Sequence, residues 1–325
     1  MKTAFLDFAT LRPADLDTGK LEEQLPATDF WPATNKAEAA VRLRGIEVAV
    51  VNKFNLDAAL LDQASELKLI CLAATGTDNV DLSAAAERGI AVCNILEYCT
   101  PSVVQHAFAM ILSLTQQLGP YQNRLAAGDW QKSDSFCLLD PPIRELSGKT
   151  LGLIGLGALG SGVASVARAF NMRVVAARLP WRTTAITSES GQSAPRLPLH
   201  ELLQQSDIVS LHCPLNDDTA HIIDKQALDQ MKRDALLINT ARGGLVDYSA
   251  LLNALREEEI GGAGIDVLEQ EPPAEDHPLL HANLPNLIVT PHIAWSAREA
   301  RQRALDEIVA NILAFANGEE RNRVV

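Results

Sequence analysis

Three residues late in the chain carry side chains that could act together, and each follows a short apolar run. Arg242 stands in Ala241-Arg242-Gly243-Gly244 after the run 235–240, Glu271 in Glu269-Gln270-Glu271-Pro272-Pro273 after 262–266, and His292 in Pro291-His292-Ile293-Ala294-Trp295 after 286–290. A guanidinium beside two glycines can grip a planar carboxylate through a bidentate fork that lysine does not offer. Taken singly, a carboxylate in such a loop is usually a solvated charge, and a lone histidine is more often structural than catalytic. As a set they supply an anion clamp, a charge that orients a base, and a proton donor or acceptor.

A second constellation is the turn formed by Gly155, Gly157 and Gly160, which has the spacing G-x-G-x-x-G. The first glycine allows the turn, the second lets a phosphate approach bare backbone, and the third lets a helix pack closely on a strand. N–H groups at the start of that helix favour a pyrophosphate. The spacing alone is weak, because such triplets occur in ordinary loops. Here 151–154 reads as a strand, 158–170 as a helix without proline and 173–177 as a second strand, so one βαβ unit surrounds the turn and a dinucleotide is expected there.

The second strand of an NAD-binding unit normally ends in an acidic residue that holds the ribose 2′-OH. This one ends Ala176-Ala177-Arg178, no acidic residue occurs from Gly160 to Ser188, and Arg182 follows. These arginines read either as exposed loop residues or as the receptor of a 2′-phosphate. The second reading favours NADP(H) over NAD(H) and leaves NAD(H) open.

The elements that must position these groups alternate along the chain. Apolar runs at 3–8, 47–51, 68–73 and 90–93 alternate with helical patterns at 35–43, 56–65 and 82–88, which implies an α/β unit with a parallel sheet covered on both faces. Residues 101–118 read as one long helix. After a polar stretch at 179–198, read as a loop, helices at 199–205, 225–231 and 248–258 alternate with strands at 207–212, 235–240 and 262–266, and a further strand follows at 286–290. The last helix, 297–316, is expected to fold back onto the first domain. In doubly wound sheets ligands sit at the carboxyl ends of strands, so two more strand ends matter. Ala74-Thr75-Gly76-Thr77-Asp78-Asn79 could offer backbone N–H groups to a carboxylate or be a plain turn, and His212-Cys213-Pro214 reads equally as a proline-ended strand.

The chain's 325 residues suffice for two cores. Net charge of -13 and a pI near 5.0 argue against a nucleic-acid or anionic-membrane surface. No apolar run approaches the ~18 residues of a membrane helix and the N-terminus does not read as a leader, so a cytoplasmic protein is expected. The five cysteines form no C-x-x-C pair, so neither a disulfide framework nor a metal site is indicated.

Taken together, NTARGGLVD (239–247), GIDVLEQEPP (264–273), TPHIAW (290–295) and the GLGALG turn (155–160) resemble the D-isomer-specific 2-hydroxyacid dehydrogenases over essentially the whole chain. ATGTDNVDL (74–82) and SDSFCLLDPPIRELSGKTLG (133–152) are most similar to the glycerate dehydrogenase / hydroxypyruvate reductase branch.

The resemblance implies two doubly wound parallel-sheet domains. A Rossmann cofactor domain (100–294) is inserted in a flavodoxin-like substrate domain (1–99 plus 295–325), with a cleft between them. It makes His292 the general acid/base, Glu271 its partner and Arg242 the substrate anchor. Substrate contacts would come from Lys53, Thr75, Gly76, Arg242, His292 and Trp295, with Phe136 a further candidate for shaping the pocket. Cofactor contacts would come from Gly155, Gly157, Ala158, Leu159, Gly160, Arg178, Arg182, His212, Cys213, Pro214, Thr219, Thr240, Ala241 and Asp266, the last beside the nicotinamide carboxamide. A homodimer built on 101–118 and 120–145 is expected by the same likeness.

In the reducing direction, hydride would pass from nicotinamide to the keto carbon while His292 protonates the carbonyl oxygen and Arg242 stabilises the charge developing there. Glu271 is expected to raise the pKa of His292. The substrate reading is hydroxypyruvate/D-glycerate or glyoxylate/glycolate. The alternatives are another D-2-hydroxyacid such as D-lactate, or a non-catalytic dinucleotide sensor of the corepressor kind.

Overall fold

The computed structural model describes residues 1–179 and 194–325. Its contacts divide the chain into two compact units, Met1–Cys99 with Trp295–Val325, and Thr100–Ala294.

The first unit is built on five parallel strands, β1 (Thr3–Phe5), β2 (Thr28–Phe30), β3 (Val48–Val51), β4 (Leu69–Leu72) and β5 (Ala91–Cys93), in the order β2-β1-β3-β4-β5. That order is the flavodoxin-like winding, whose switch point lies between β1 and β3. β3 and β4 are buried throughout, which is why they read as continuous apolar runs rather than alternating ones. The helices are α1 (Gly19–Gln24), α2 (Lys36–Arg42), α3 (Ala58–Leu61) and α4 (Leu82–Glu87). Asn35 opens α2 with a reciprocal capping box to Glu38, while Asp57 and Asp81 cap α3 and α4. The C-terminal helix, Arg298–Ala316, packs on β4. The tail beyond it pairs with β5 through Val324 N to Val92 O (2.7 Å) and Val92 N to Val325 O (3.2 Å), covering that edge of the sheet.

The second unit carries seven parallel strands: β6 (Thr150–Ile154), β7 (Arg173–Ala177), β8 (Arg196–Leu197), β9 (Ile208–Leu211), β10 (Leu236–Asn239), β11 (Gly262–Ile265) and β12 (Leu287–Val289). Their order, β12-β11-β10-β9-β6-β7-β8, is that of a doubly wound dinucleotide fold extended by one strand. The helices α5 (Thr100–Thr115), α6 (Leu118–Ala126), α7 (Ala158–Ala169), α8 (Leu199–Gln205), α9 (Lys225–Gln230) and α10 (Tyr248–Arg256) cover it. Strand residues alternate between two cores: Leu151, Leu153, Leu236 and Ile238 pack with α5 and α7, while Ile154, Val209, Leu211 and Leu237 pack with α8 to α10.

Several elements differ from the sequence expectation. The helix read at 101–118 breaks after Thr115, whose hydroxyl bonds back to Ile111 O, and Gln117 turns left-handed (φ 53°) before α6 begins. The helix read at 56–65 shortens to α3 because Leu56 N–H is taken by Asn79 O and Asp57 caps from outside. Part of the polar stretch read as a loop is β8, and the short elements α1 and β2 carry no periodic signal strong enough to read.

Candidate active site

Arg242, Glu271 and His292 lie just past β10, β11 and β12, which are neighbours in the sheet, so the winding brings three remote segments to one end of it. His292 Nδ1 is 2.5 Å from Glu271 Oε2. With the carboxylate accepting there, Nδ1 carries the proton and Nε2 is left for chemistry. The second Glu271 oxygen, Oε1, accepts from Leu268 N at 2.9 Å, so the carboxylate is fixed at both ends. His292 adopts a left-handed backbone (φ 53°), with its N–H shared between Asp266 O (2.7 Å) and Thr290 O (3.0 Å).

The Arg242 turn is held from below by Asn239, which is fully buried. Asn239 Oδ1 accepts from Ala241 N (3.0 Å) and its Nδ2 donates to Arg242 O (2.9 Å). Gly243 is required because a Cβ there would lie 2.0 Å from Leu268 C and 2.3 Å from Glu269 N, the backbone of the loop leading to Glu271. Tyr248 joins the same two loops, donating its hydroxyl to Val267 O (2.5 Å) while lying 3.4 Å from Asn239 Nδ2. Burial pushes that phenol well above its ordinary range, so it stays a donor. The sequence reading missed Asn239 and Tyr248, since neither belongs to a catalytic residue pattern.

Asp266, expected beside a carboxamide, is held between the loops that follow β11 and β12. The residue is 1% exposed, and its carboxylate accepts from Thr290 Oγ1 (2.5 Å), Ile293 N (2.9 Å) and Ala294 N (2.8 Å). It anchors the loop that carries His292. Burial pulls its pKa up, but these hydrogen bonds and the one from His106 outweigh that and hold it below the usual carboxylate range.

At the glycine turn each glycine has its own reason. Gly155 sits at φ +105° with a Cβ position 2.5 Å from the His212 carbonyl, so β6 turns against the end of β9. A Cβ on Gly160 would meet Gly155 O at 2.2 Å, whereas one on Gly157 would meet nothing within 4 Å. The middle glycine is thus the one whose backbone stands open, beside Ala158 and Leu159 at the start of α7, where no side chain caps the helix. Two polar atoms near this end of the sheet, His212 Nδ1 and Thr240 Oγ1, are buried without a partner, as a bound polar ligand would require. Burial lowers the His212 pKa to about 4 and keeps the ring neutral, while it raises Cys213 to about 11. Pro214 and Ala241 line the ends of β9 and β10. Thr219 is fully buried, and its hydroxyl donates to Pro214 O (2.8 Å) and accepts from Asn216 N (2.7 Å), shaping the loop that follows β9.

Arg178 is exposed at the end of β7, and Arg182 lies outside the described residues. The structure adds Arg196, on β8 beside Ala176, whose guanidinium reaches Ala177 O at 3.2 Å. Sequence spacing could not pair it with Arg178 because β8 was not foreseen.

The remaining candidates belong to the first unit and sit at its strand ends. Asp7, after β1, accepts from Asn52 N, Lys53 N and Phe54 N at 2.6 to 3.1 Å, fixing the turn that carries Lys53. Thr75 and Gly76 follow β4, with Thr75 Oγ1 bonded to Ile95 O (2.8 Å) and Thr75 O bonded to Asn94 Nδ2 (2.8 Å). Trp295 packs edge-on against Tyr98 at 6.5 Å.

Residues 108–294 match the D-isomer specific 2-hydroxyacid dehydrogenase NAD binding domain. The chain belongs to this family. It is 46% identical to a glycerate dehydrogenase of Methylorubrum extorquens, covering 99% of this chain and 98% of that protein. A hydroxypyruvate reductase of Blautia hydrogenotrophica is 34% identical over 100% and 99% of the two chains. A D-lactate dehydrogenase from Aquifex aeolicus, solved with NAD and lactic acid, superposes with a TM-score of 0.83 at 32% identity, covering 98% and 96%. The protein is therefore an oxidoreductase of small 2-hydroxy and 2-keto acids that uses a nicotinamide dinucleotide. Among the described residues no helix is long and apolar enough to cross a membrane, and no cluster of His, Cys, Asp or Glu could hold a metal ion.

Proposed function

We propose that the enzyme reduces hydroxypyruvate to D-glycerate, and glyoxylate to glycolate, with NADPH as the favoured cofactor and NADH as the alternative. The observation that carries the reading is His292 oriented by Glu271, with Arg242 at the same end of the sheet, on the strand beyond that of Glu271. Arg242 would hold the substrate and stabilise negative charge on its carbonyl oxygen, and His292 would deliver a proton there from Nε2. A bound reduced nicotinamide supplies the hydride that adds to the keto carbon. Gly155, Gly157 and Gly160 with the first N–H groups of α7 would hold the pyrophosphate, and the buried hydroxyl of Thr240 fits a polar cofactor atom. Backbone at Thr75 and Gly76, with Lys53 and Trp295, would complete substrate recognition.

Arg178 with Arg196, and no carboxylate at the end of β7, supports recognition of a 2′-phosphate. A charge-assisted contact of this kind is worth about 1.5–3 kcal/mol, or about 10- to 100-fold in kcat/KM for NADPH over NADH. Assaying a panel of 2-keto acids with both cofactors tests both parts. Turnover of hydroxypyruvate above pyruvate supports the substrate reading, a strong NADH preference overturns the cofactor reading, and absence of turnover with every acid returns the sensing function. Exposed Trp130, Phe136, Leu139 and Ile143 form an apolar stretch that supports a homodimer; a monomeric mass in solution would refute it.

A further inference from the structure

Asp266 poses a problem of charge. Its carboxylate is buried, is held in the ionised range, and anchors the two amides that follow His292, those of Ile293 and Ala294. An ionised carboxylate that deep needs donors on every side. One of them is a side chain outside the strand-end loops: His106, in the second turn of α5, whose Nε2 lies 3.0 Å from Thr290 Oγ1 and 3.4 Å from Asp266 Oδ1.

The protons in this chain of contacts can be assigned. Thr290 has a single hydroxyl hydrogen, and at 2.5 Å from Asp266 Oδ1 it must be spent on the carboxylate, which has none to give. The hydroxyl oxygen can then only accept from His106, so Nε2 carries a hydrogen. The imidazole thus holds Thr290 in the rotamer that closes on Asp266, and Asp266 holds the loop around His292.

We propose that His106 is a positioning residue for the reaction, acting through Thr290 and Asp266 on the placement of His292. The proposal rests on the reading of His292 as the proton donor, and α5 becomes part of the catalytic support rather than only a covering helix. In the left-handed backbone that His292 adopts, small displacements of the loop move the imidazole relative to substrate, and a misplacement near 1 Å can cost ~10²-fold in rate.

The test is a set of variants of the full chain. His106→Leu removes the donor while keeping bulk, His106→Gln keeps an N–H near the Nε2 position, and Thr290→Val removes the hydroxyl at constant shape. Two readouts are taken: steady-state kinetics with hydroxypyruvate, and amide hydrogen exchange at Ile293 and Ala294.

The expected result for His106→Leu is kcat lower by roughly 10- to 100-fold with dinucleotide Kd unchanged, and faster exchange at the two amides. His106→Gln should recover most of both. His106→Leu combined with Thr290→Val should lose no more than Thr290→Val alone, because one chain of contacts is cut twice. Unchanged kcat and unchanged exchange in His106→Leu overturn the proposal, as does a Gln variant no better than Leu. If the unmodified enzyme turned over no 2-keto acid, the functional reading would fail, and the exchange comparison would still decide whether His106 holds the loop.

Discussion

Two histidines at strand ends of the same sheet, after β12 and β9, have opposite employment. His292 meets Glu271 at 2.5 Å and keeps one nitrogen for the reaction, whereas His212 is walled in, bonded to Ser210 Oγ at 2.9 Å, and kept neutral with a pKa lowered to about 4. Replacing His292 by alanine is expected to lower turnover by ~10²- to 10⁴-fold, the usual contribution of general acid-base catalysis. Near-normal kcat in that variant would remove His292 from the mechanism. For His212 the consequence concerns stability. Its folded pKa lies below the unfolded value near 6.5, so as pH falls below about 6.5 the unfolded chain binds a proton that the folded one refuses, and stability declines until about pH 4. The full effect is on the order of 3 kcal/mol. Denaturant melts of the wild type and His212→Gln between pH 7 and 4 should therefore converge as pH falls; parallel curves would show that the ring is not held neutral.

At the level of elements, the site depends on how closely two loops approach. The turn after β10 and the loop after β11 touch backbone to backbone at Gly243, and Tyr248 and Asn239 tie them further. Gly243→Ala places a methyl 2.0 Å from the Leu268 carbonyl carbon, where no side chain can yield. Overpacking of this kind costs about 1–3 kcal/mol, and pushing Arg242 away from Glu271 and His292 should lower kcat/KM by ~10-fold or more. Gly244→Ala is the control, because its added methyl meets only the mobile end of Leu215 at 2.9 Å and should leave activity near normal. Equal losses in the two variants would mean that loop spacing does not govern the site.

These loops also mark what the sequence could reveal. Arg242, Glu271 and His292 were legible because each follows an apolar strand, fully buried in β10 and β11 and half-buried in β12, and apolar parallel strands are a strong signal in the chain. Asn239 and Tyr248 were not, because a fully buried asparagine at a strand end reads as part of the strand and a tyrosine at a helix start reads as core. Arg196 and His106 were missed for a related reason. Their neighbours come from strand pairing and from helix-on-sheet packing over 184 residues of separation for His106 and Thr290, which no local pattern encodes.

For the whole molecule, the decisive feature is that one unit is continuous in sequence while the other is completed by both ends of the chain. Both parallel sheets were readable from the alternation of strands and helices, but β2, β8 and the clamp that closes the first unit were not. Arg301, on the C-terminal helix and almost fully buried, grips Asp15 with two nitrogens at 2.6 and 2.8 Å and also donates to Leu11 O at 2.9 Å. The guanidinium holds Asp15 down to a pKa of about 2. Because the folded value is depressed below an ordinary aspartate, the clamp stabilises the fold above about pH 4, and that contribution is lost as pH falls toward 2. The dinucleotide, by contrast, stabilises the second unit by about 2.7 kcal/mol at 100-fold excess over its Kd. Acid should therefore release the first unit in a way that cofactor does not prevent. Hydrogen exchange on the wild type at about pH 2, with and without cofactor, should show protection lost around Leu11 and the C-terminal helix in both samples. Asp15→Asn should show that loss already at neutral pH, and a variant whose C-terminal helix stays as protected as wild type would mean that the clamp does not hold the two chain ends together.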